Sequence, residues 1–142
     1  MNATVRWTKA MQFSGTGAAG VAITMDARPE HGGVDAGPSP METVLLALGG
    51  CTGMDVVSVL QKMRAPLEVL EIQITAERAE EHPRVFTSIA LEYTFAGAGL
   101  RPEQVNRAVE LSQTRYCSVS AMLRQVAALT YTWRIVPAMG DG

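Results

Sequence analysis

From Val44 to Leu60 the chain is apolar at nearly every azimuth of a helix, and no other segment constrains the fold as much. Val44, Leu45, Leu46, Leu48, Met54, Val56, Val57, Val59 and Leu60 leave no wet side, so this helix is expected to be buried all round. Ser39 as N-cap, Pro40 at the first helical position and Glu42 near the positive end of the helix dipole start it. Pro66, a little past the charged turn Lys62 to Arg64, ends it, which places the helix at residues 41–63. Gly49, Gly50 and Gly53 bracket Cys51, and each is unfavourable in a helix by about 1 kcal/mol relative to alanine. Close approach of another backbone is the expected compensation. A sheet covers one side of such a helix, and a second copy of the chain, packed at the glycines, is the economical cover for the rest.

The flanking segments read as strands. Val5, Trp7, Met11 and Phe13 fall at odd positions, the period of one half-buried strand over residues 3–13. Gly15, Gly17 and Gly20 turn the chain into a second strand through Val21, Ile23 and Met25, and Arg28 to Pro40 is loop. Val69 to Glu77 and Val85 to Phe95 alternate as an antiparallel hairpin around the Glu80–Pro83 turn. Pro102 starts a one-sided helix carrying Val105, Ala108, Val109 and Leu111, a second helical stretch begins near Ser118, and Thr130 to Val136 is a last strand. The order ββαββααβ makes this an α+β protein, its antiparallel sheet curled around one very apolar helix.

At 142 residues, nearly half of them apolar, the chain is read as a single domain over 1–142 that needs neither metal nor disulfide to fold. A net charge of −2 without a basic stripe, and 6% aromatic residues, argue against a nucleic-acid partner. The first residues lack the pattern of an export signal, and no apolar stretch reads as long enough to span a bilayer, so no membrane partner and a cytoplasmic location are expected. In a reducing compartment the two cysteines, Cys51 and Cys117, are either buried small residues or a reversible redox couple. His31 and His82 are loop residues without a second ligand at metal spacing, and no nucleotide fingerprint is present, so neither metal nor cofactor is expected.

The run Ser39-Pro40-Met41-Glu42 through Leu48 to Gly49-Gly50-Cys51, together with Arg115-Tyr116-Cys117-Ser118-Val119, resembles the OsmC/Ohr family over essentially the whole chain. Asp55 to Lys62 and Pro83 to Thr87 resemble, more narrowly, its YhfA-type branch. The resemblance implies an intertwined homodimer with two thiol sites at the subunit interface. It further implies a thiol peroxidase for small organic hydroperoxides: Cys51 attacks the peroxide and becomes a sulfenic acid, Cys117 condenses with it to a disulfide, and a cellular dithiol reductant restores both thiols. The alternative within the same family is a protein that binds small hydrophobic molecules, or senses thiol redox state, in an apolar interface pocket.

Each residue also has a plainer reading. Cys51 is equally a small filler among glycines; Cys117 stands at a helix start whose unpaired N–H groups would favour a thiolate leaving group, and its plainer reading is an N-terminal helix residue of no chemical consequence. Glu42 is the carboxylate nearest to the family's arginine-holding glutamate, although that position corresponds to Met41 here. It lies about 14 Å along the helix from Cys51 and on the other side, so it can serve only a site completed by other elements, such as a partner subunit. The alternative for Glu42 is a carboxylate at the helix dipole. The family's arginine belongs in the region Met11 to Gly17, which holds none, while Arg6, Arg28, Arg84 and Arg115 read as surface charges. Asp55, one turn after Cys51, is read as a structural hydrogen-bond partner in preference to a catalytic group, because a carboxylate beside a thiol opposes thiolate formation.

Overall fold

The computed structural model describes residues 1–138, and by packing the chain divides into two compact units, Met1–Leu46 and Ala47–Gly142. The first holds an antiparallel meander of β1 (Thr4–Lys9), β2 (Gln12–Thr16) and β3 (Ala22–Met25). The single strand expected over residues 3–13 is therefore two strands, broken at Ala10 and Met11. Ala10 takes a φ of 47°, and the Trp7 indole N–H donates to its carbonyl at 2.8 Å, so the turn is fixed by a side chain and not by glycine or proline. Register stacks Val5, Gly15 and Ile23 in one row and Trp7, Phe13 and Met25 in the next. Val5, Trp7, Phe13 and Ile23 of that apolar face are exposed.

After β3 the loop is organised by Asp26, which is buried. Its carboxylate accepts from the N–H groups of Ala27 (2.7 Å), Val34 (3.1 Å) and Ala36 (3.0 Å), gathering ten residues of chain around one charge. These bonds, Ala36 foremost, hold its carboxyl below the usual carboxylate range against the opposing effect of burial.

The central helix α1 is Pro40–Lys62. Its start is a reciprocal cap: the Glu42 N–H donates to Ser39 Oγ at 3.1 Å, and Ser39 N–H donates to Glu42 Oε2 at 2.7 Å. α1 is buried along the stripe Leu48, Thr52, Val56 and Leu60, while Leu46 and Met54 are 62% and 77% exposed, so one copy of the chain does not cover it on all sides as the sequence suggested. With 23 residues and a mean hydropathy of 1.7 in its most apolar window, α1 does reach the length and composition of a membrane span, correcting the expectation that no segment would. Its buried stripe carries a hydrogen-bonded Thr52, as a core helix can and a lipid-facing surface does not favour. A Cβ on Gly49 would stand 3.1 Å from Ile74 Cδ1 and one on Gly53 3.4 Å from Ile72 Cδ1, whereas one on Gly50 would meet nothing within 4 Å. Two of the three glycines thus let isoleucine side chains approach, where another backbone was expected.

The second unit is built on β4 (Val69–Arg78), β5 (Phe86–Ala96) and β6 (Ala128–Ile135), in the order β4-β5-β6. The β4–β5 hairpin is antiparallel as read, but β6 runs parallel to β5, so the sheet is mixed and not purely antiparallel. The cause is the crossover: α2 (Pro102–Leu111) and α3 (Ser118–Leu123) carry the chain back before β6 begins, the requirement for a parallel neighbour. Central β5 supplies the buried Phe86, Ile89, Leu91, Tyr93 and Phe95. The observed order is βββαββααβ, an α+β fold with two three-stranded sheets.

Candidate functional site

Between α2 and α3, residues Ser112–Tyr116 form a π-helical turn, wider than the α-helix it follows. Such insertions rotate the following side chains off the helical register and recur at functional sites. Here the turn leaves Ser112 and Gln113 buried, and its last carbonyl partner closes the segment: Cys117 N–H donates to Ser112 O at 2.8 Å. Cys117 then caps α3, with Sγ accepting from the Ser120 N–H at 3.3 Å.

This brings Cys117 to the middle of α1. The sulfurs of Cys51 and Cys117 and a carboxylate oxygen of Asp55 all lie within 4.8 Å of one another. Cys51 and Asp55 share a face because they are four residues apart on a helix; Cys117 arrives from a distant part of the sequence. Cys51 and Asp55 are partly buried, and Cys117 is 4% exposed. Burial pushes the Cys117 thiol above its ordinary value, groups of Ser120 pull it back, and the nearness of Cys51 pushes it up again. The helix start does not give Cys117 the low thiol pKa expected from its position, because desolvation outweighs the N–H groups.

Behind the thiols runs a buried chain of hydrogen bonds whose direction is fixed. Ser112 Oγ donates to Asp55 Oδ2 at 3.0 Å, so the Ser112 proton points to Asp55. Ser112 Oγ must then receive its 2.7 Å bond from the Thr52 hydroxyl, and Thr52, its proton spent, must receive its 2.7 Å bond from Tyr93. The Tyr93 oxygen in turn accepts from Gln113 Nε2 at 2.7 Å. Arg124 sets the amide orientation, Nη2 donating to Gln113 Oε1 at 3.1 Å and Nη1 to the Gln113 carbonyl at 3.1 Å. The donors run in one sense from the Arg124 guanidinium to the Asp55 carboxylate, an arrangement in which each bond polarises the next. Burial raises the Tyr93 phenol, so it stays a donor.

Of the residues singled out from the sequence, Cys51, Cys117 and Asp55 meet, and Asp55 has the hydrogen-bonded place expected of it. Glu42 is engaged in the cap of α1, where the Ser39 N–H holds its carboxyl below the usual range. His31 sits in the short 3-10 turn Pro29–His31, and Arg115 lies over the Tyr116 ring with its guanidinium carbon 5.7 Å from the centroid. Among the described residues, no arginine, lysine or histidine donates a hydrogen bond to either thiol or to Asp55. Sequence reasoning missed Thr52, Tyr93, Ser112, Gln113 and Arg124. Only Thr52 left a trace, as a polar residue next to Cys51 in the apolar helix.

Comparison with known proteins gives a consistent result. A family profile described as OsmC-like protein matches residues 31–132. Protein YhfA of Escherichia coli K12 is 44% identical over 138 residues, covering 97% of this chain and all of the relative. A hypothetical protein from Aquifex aeolicus VF5 superposes with a TM-score of 0.83 at 27% identity, over 96% of each chain. The organic hydroperoxide resistance protein OhrB of Bacillus subtilis shares the fold, with a TM-score of 0.60 at 16% identity over 94% of this chain and 96% of that one.

Proposed function

The chain belongs to the OsmC-like family, and from that premise we propose that it is a thiol peroxidase reducing organic hydroperoxides through a Cys51/Cys117 cycle. One observation carries the reading: two cysteines distant in sequence have their sulfurs within 4.8 Å, with no disulfide between them. The difference in burial supports the division of roles. Cys51, the more accessible, takes the peroxide: its thiolate attacks the distal oxygen, the O–O bond breaks, the alcohol leaves with a proton, and Cys51 becomes a sulfenic acid. Cys117, buried and held protonated, loses its proton as it attacks the Cys51 sulfur; the S–O bond breaks, water leaves, and a disulfide forms. A cellular dithiol returns both thiols. Peroxide and dithiol are the small-molecule and reductant partners of the proposal, and no resident cofactor takes part.

The same proposal has the protein act in the cytoplasm as a homodimer of one domain over residues 1–142. The exposed apolar residues Leu46 and Met54 on α1, and Val5, Trp7 and Ile23 on the meander, support it, since surfaces of this kind are expected to be covered. Glu42, exposed apart from its cap contact, would contribute only to a site completed by other elements, such as a partner subunit.

The test is thiol titration of the reduced protein, with chelator present, before and after stoichiometric cumene hydroperoxide. Rapid loss of both thiols, abolished by Cys51→Ser, is expected. Thiols unchanged at excess peroxide would refute the peroxidase and favour the second reading, a binder of small hydrophobic molecules or a thiol redox sensor. The lack of a guanidinium hydrogen-bonded to either thiol among the described residues speaks for that second reading.

A further inference from the structure

We infer that Cys51, Cys117 and Asp55 form a binding site for a soft divalent cation, of which zinc is the physiological example. The inference stands on the reduced cluster alone and does not depend on peroxide chemistry. Two sulfurs and a carboxylate oxygen within 4.8 Å of one another are three of the donors that zinc takes, at metal distances of about 2.3 Å for sulfur and 2.0–2.2 Å for oxygen. A tetrahedral ion requires such donors to stand roughly 3.6–3.8 Å apart, so side-chain contraction of about 1 Å at most completes the set. Two thiolates select zinc and similar ions over magnesium or calcium, and three protein donors leave one position for water.

Three features beyond the donors favour an ion. The first is charge. Thiols and a carboxylate converge in a partly desolvated place where, among the described residues, no cationic side chain hydrogen-bonds to any of them, so no side-chain cation competes with a divalent ion for the negative charge that binding creates. The second is the outer shell. Asp55 is oriented by Ser112, itself fixed by the one-way chain through Thr52 and Tyr93, and Cys117 is held by the Ser120 N–H, the kind of support that metal ligands require. The third is Ser120 Oγ, fully buried beside Cys117; it makes no well-formed hydrogen bond to the neutral thiol and already favours its ionised form. A thiolate formed there on metal binding gives its hydroxyl an acceptor. The expectation of no metal rested on the two isolated loop histidines, and could not register donors that only the fold assembles.

Binding converts two thiols to thiolates and releases two protons for each ion taken up. Disulfide formation between Cys51 and Cys117 consumes the same sulfurs, so only the reduced protein binds. Cobalt serves as the spectroscopic probe and zinc as its competitor. Anaerobic titration of the reduced chain should give, at one equivalent of Co2+, thiolate-to-cobalt charge transfer in the near ultraviolet and the strong visible bands of a tetrahedral ion. Zinc should erase both. Cys51→Ser and Cys117→Ser should each lose the charge-transfer band, and Ser112→Ala should weaken zinc about tenfold with far-UV circular dichroism unchanged. The oxidised protein should bind neither ion, a comparison that holds even if a variant does not fold. Reduced wild-type protein with two titratable thiols and no charge-transfer band overturns the inference, as does zinc affinity equal in reduced and oxidised forms. Because the peroxide test is run in chelator, either reading can fail while the other stands.

Discussion

Replacing Thr52 separates what its hydroxyl does from what its methyl does. Thr52 is fully buried on α1, and its oxygen lies 2.7 Å from both Tyr93 and Ser112. Thr52→Val keeps the shape and the methyl but removes the hydroxyl. The Tyr93 O–H then loses its acceptor in a site without solvent, at about 1–3 kcal/mol, and Ser112 Oγ loses its incoming donor while still donating to Asp55, at about 1 kcal/mol. The sum is about 2–4 kcal/mol. Thr52→Ser keeps the directed chain and deletes one buried methyl, which costs about 1 kcal/mol. Urea unfolding followed by far-UV circular dichroism at one fixed protein concentration measures both. With an m-value of about 2 kcal/mol/M, the valine variant should unfold roughly 1–2 M earlier than wild type and the serine variant about 0.5 M earlier. A valine variant as stable as the serine variant, or more so, would refute the one-way chain, since burial of apolar volume would then outweigh the hydroxyl.

Two further outcomes follow from the first unit and from α1. The Asp26 carboxyl is held below its ordinary value of 3.8, so its contribution to stability is complete above that pH and is lost as the pH falls through the lower folded value. In Asp26→Asn the acid limb of the stability–pH curve should flatten, and an unchanged limb would assign acid sensitivity to other groups. Met54→Glu places a charge on the exposed apolar side of α1. If a second copy covers that side, sedimentation at micromolar concentration should show the variant dissociating while wild type remains dimeric, and equal sedimentation of both would rule that surface out of the interface.

Much of α1 was legible because its signals are local. Ser39, Pro40 and Glu42 stand next to one another, and capping is a contact between residues three apart. The β4–β5 hairpin was legible for the same reason, through alternation and a nearby turn. The turn at Ala10 was not, because a tryptophan side chain holds a residue whose type carries no turn preference. Nor was the parallel pairing of β6, which depends on the path of the crossover and not on the pattern within the strand.

By itself the sequence determined that a strongly apolar helix would carry one cysteine and that another would open a later helix, since period and composition act within a few residues. Only the tertiary structure decided that Cys117 joins Cys51 and Asp55 in one place, and that a hydrogen-bond chain from Arg124 ends on Asp55. The π-helical turn at Ser112–Tyr116 delivers Ser112 and Gln113 to that place. Such contacts join residues far apart in the chain, and their energies arise from desolvation and hydrogen-bond direction, which exist only once the elements have packed.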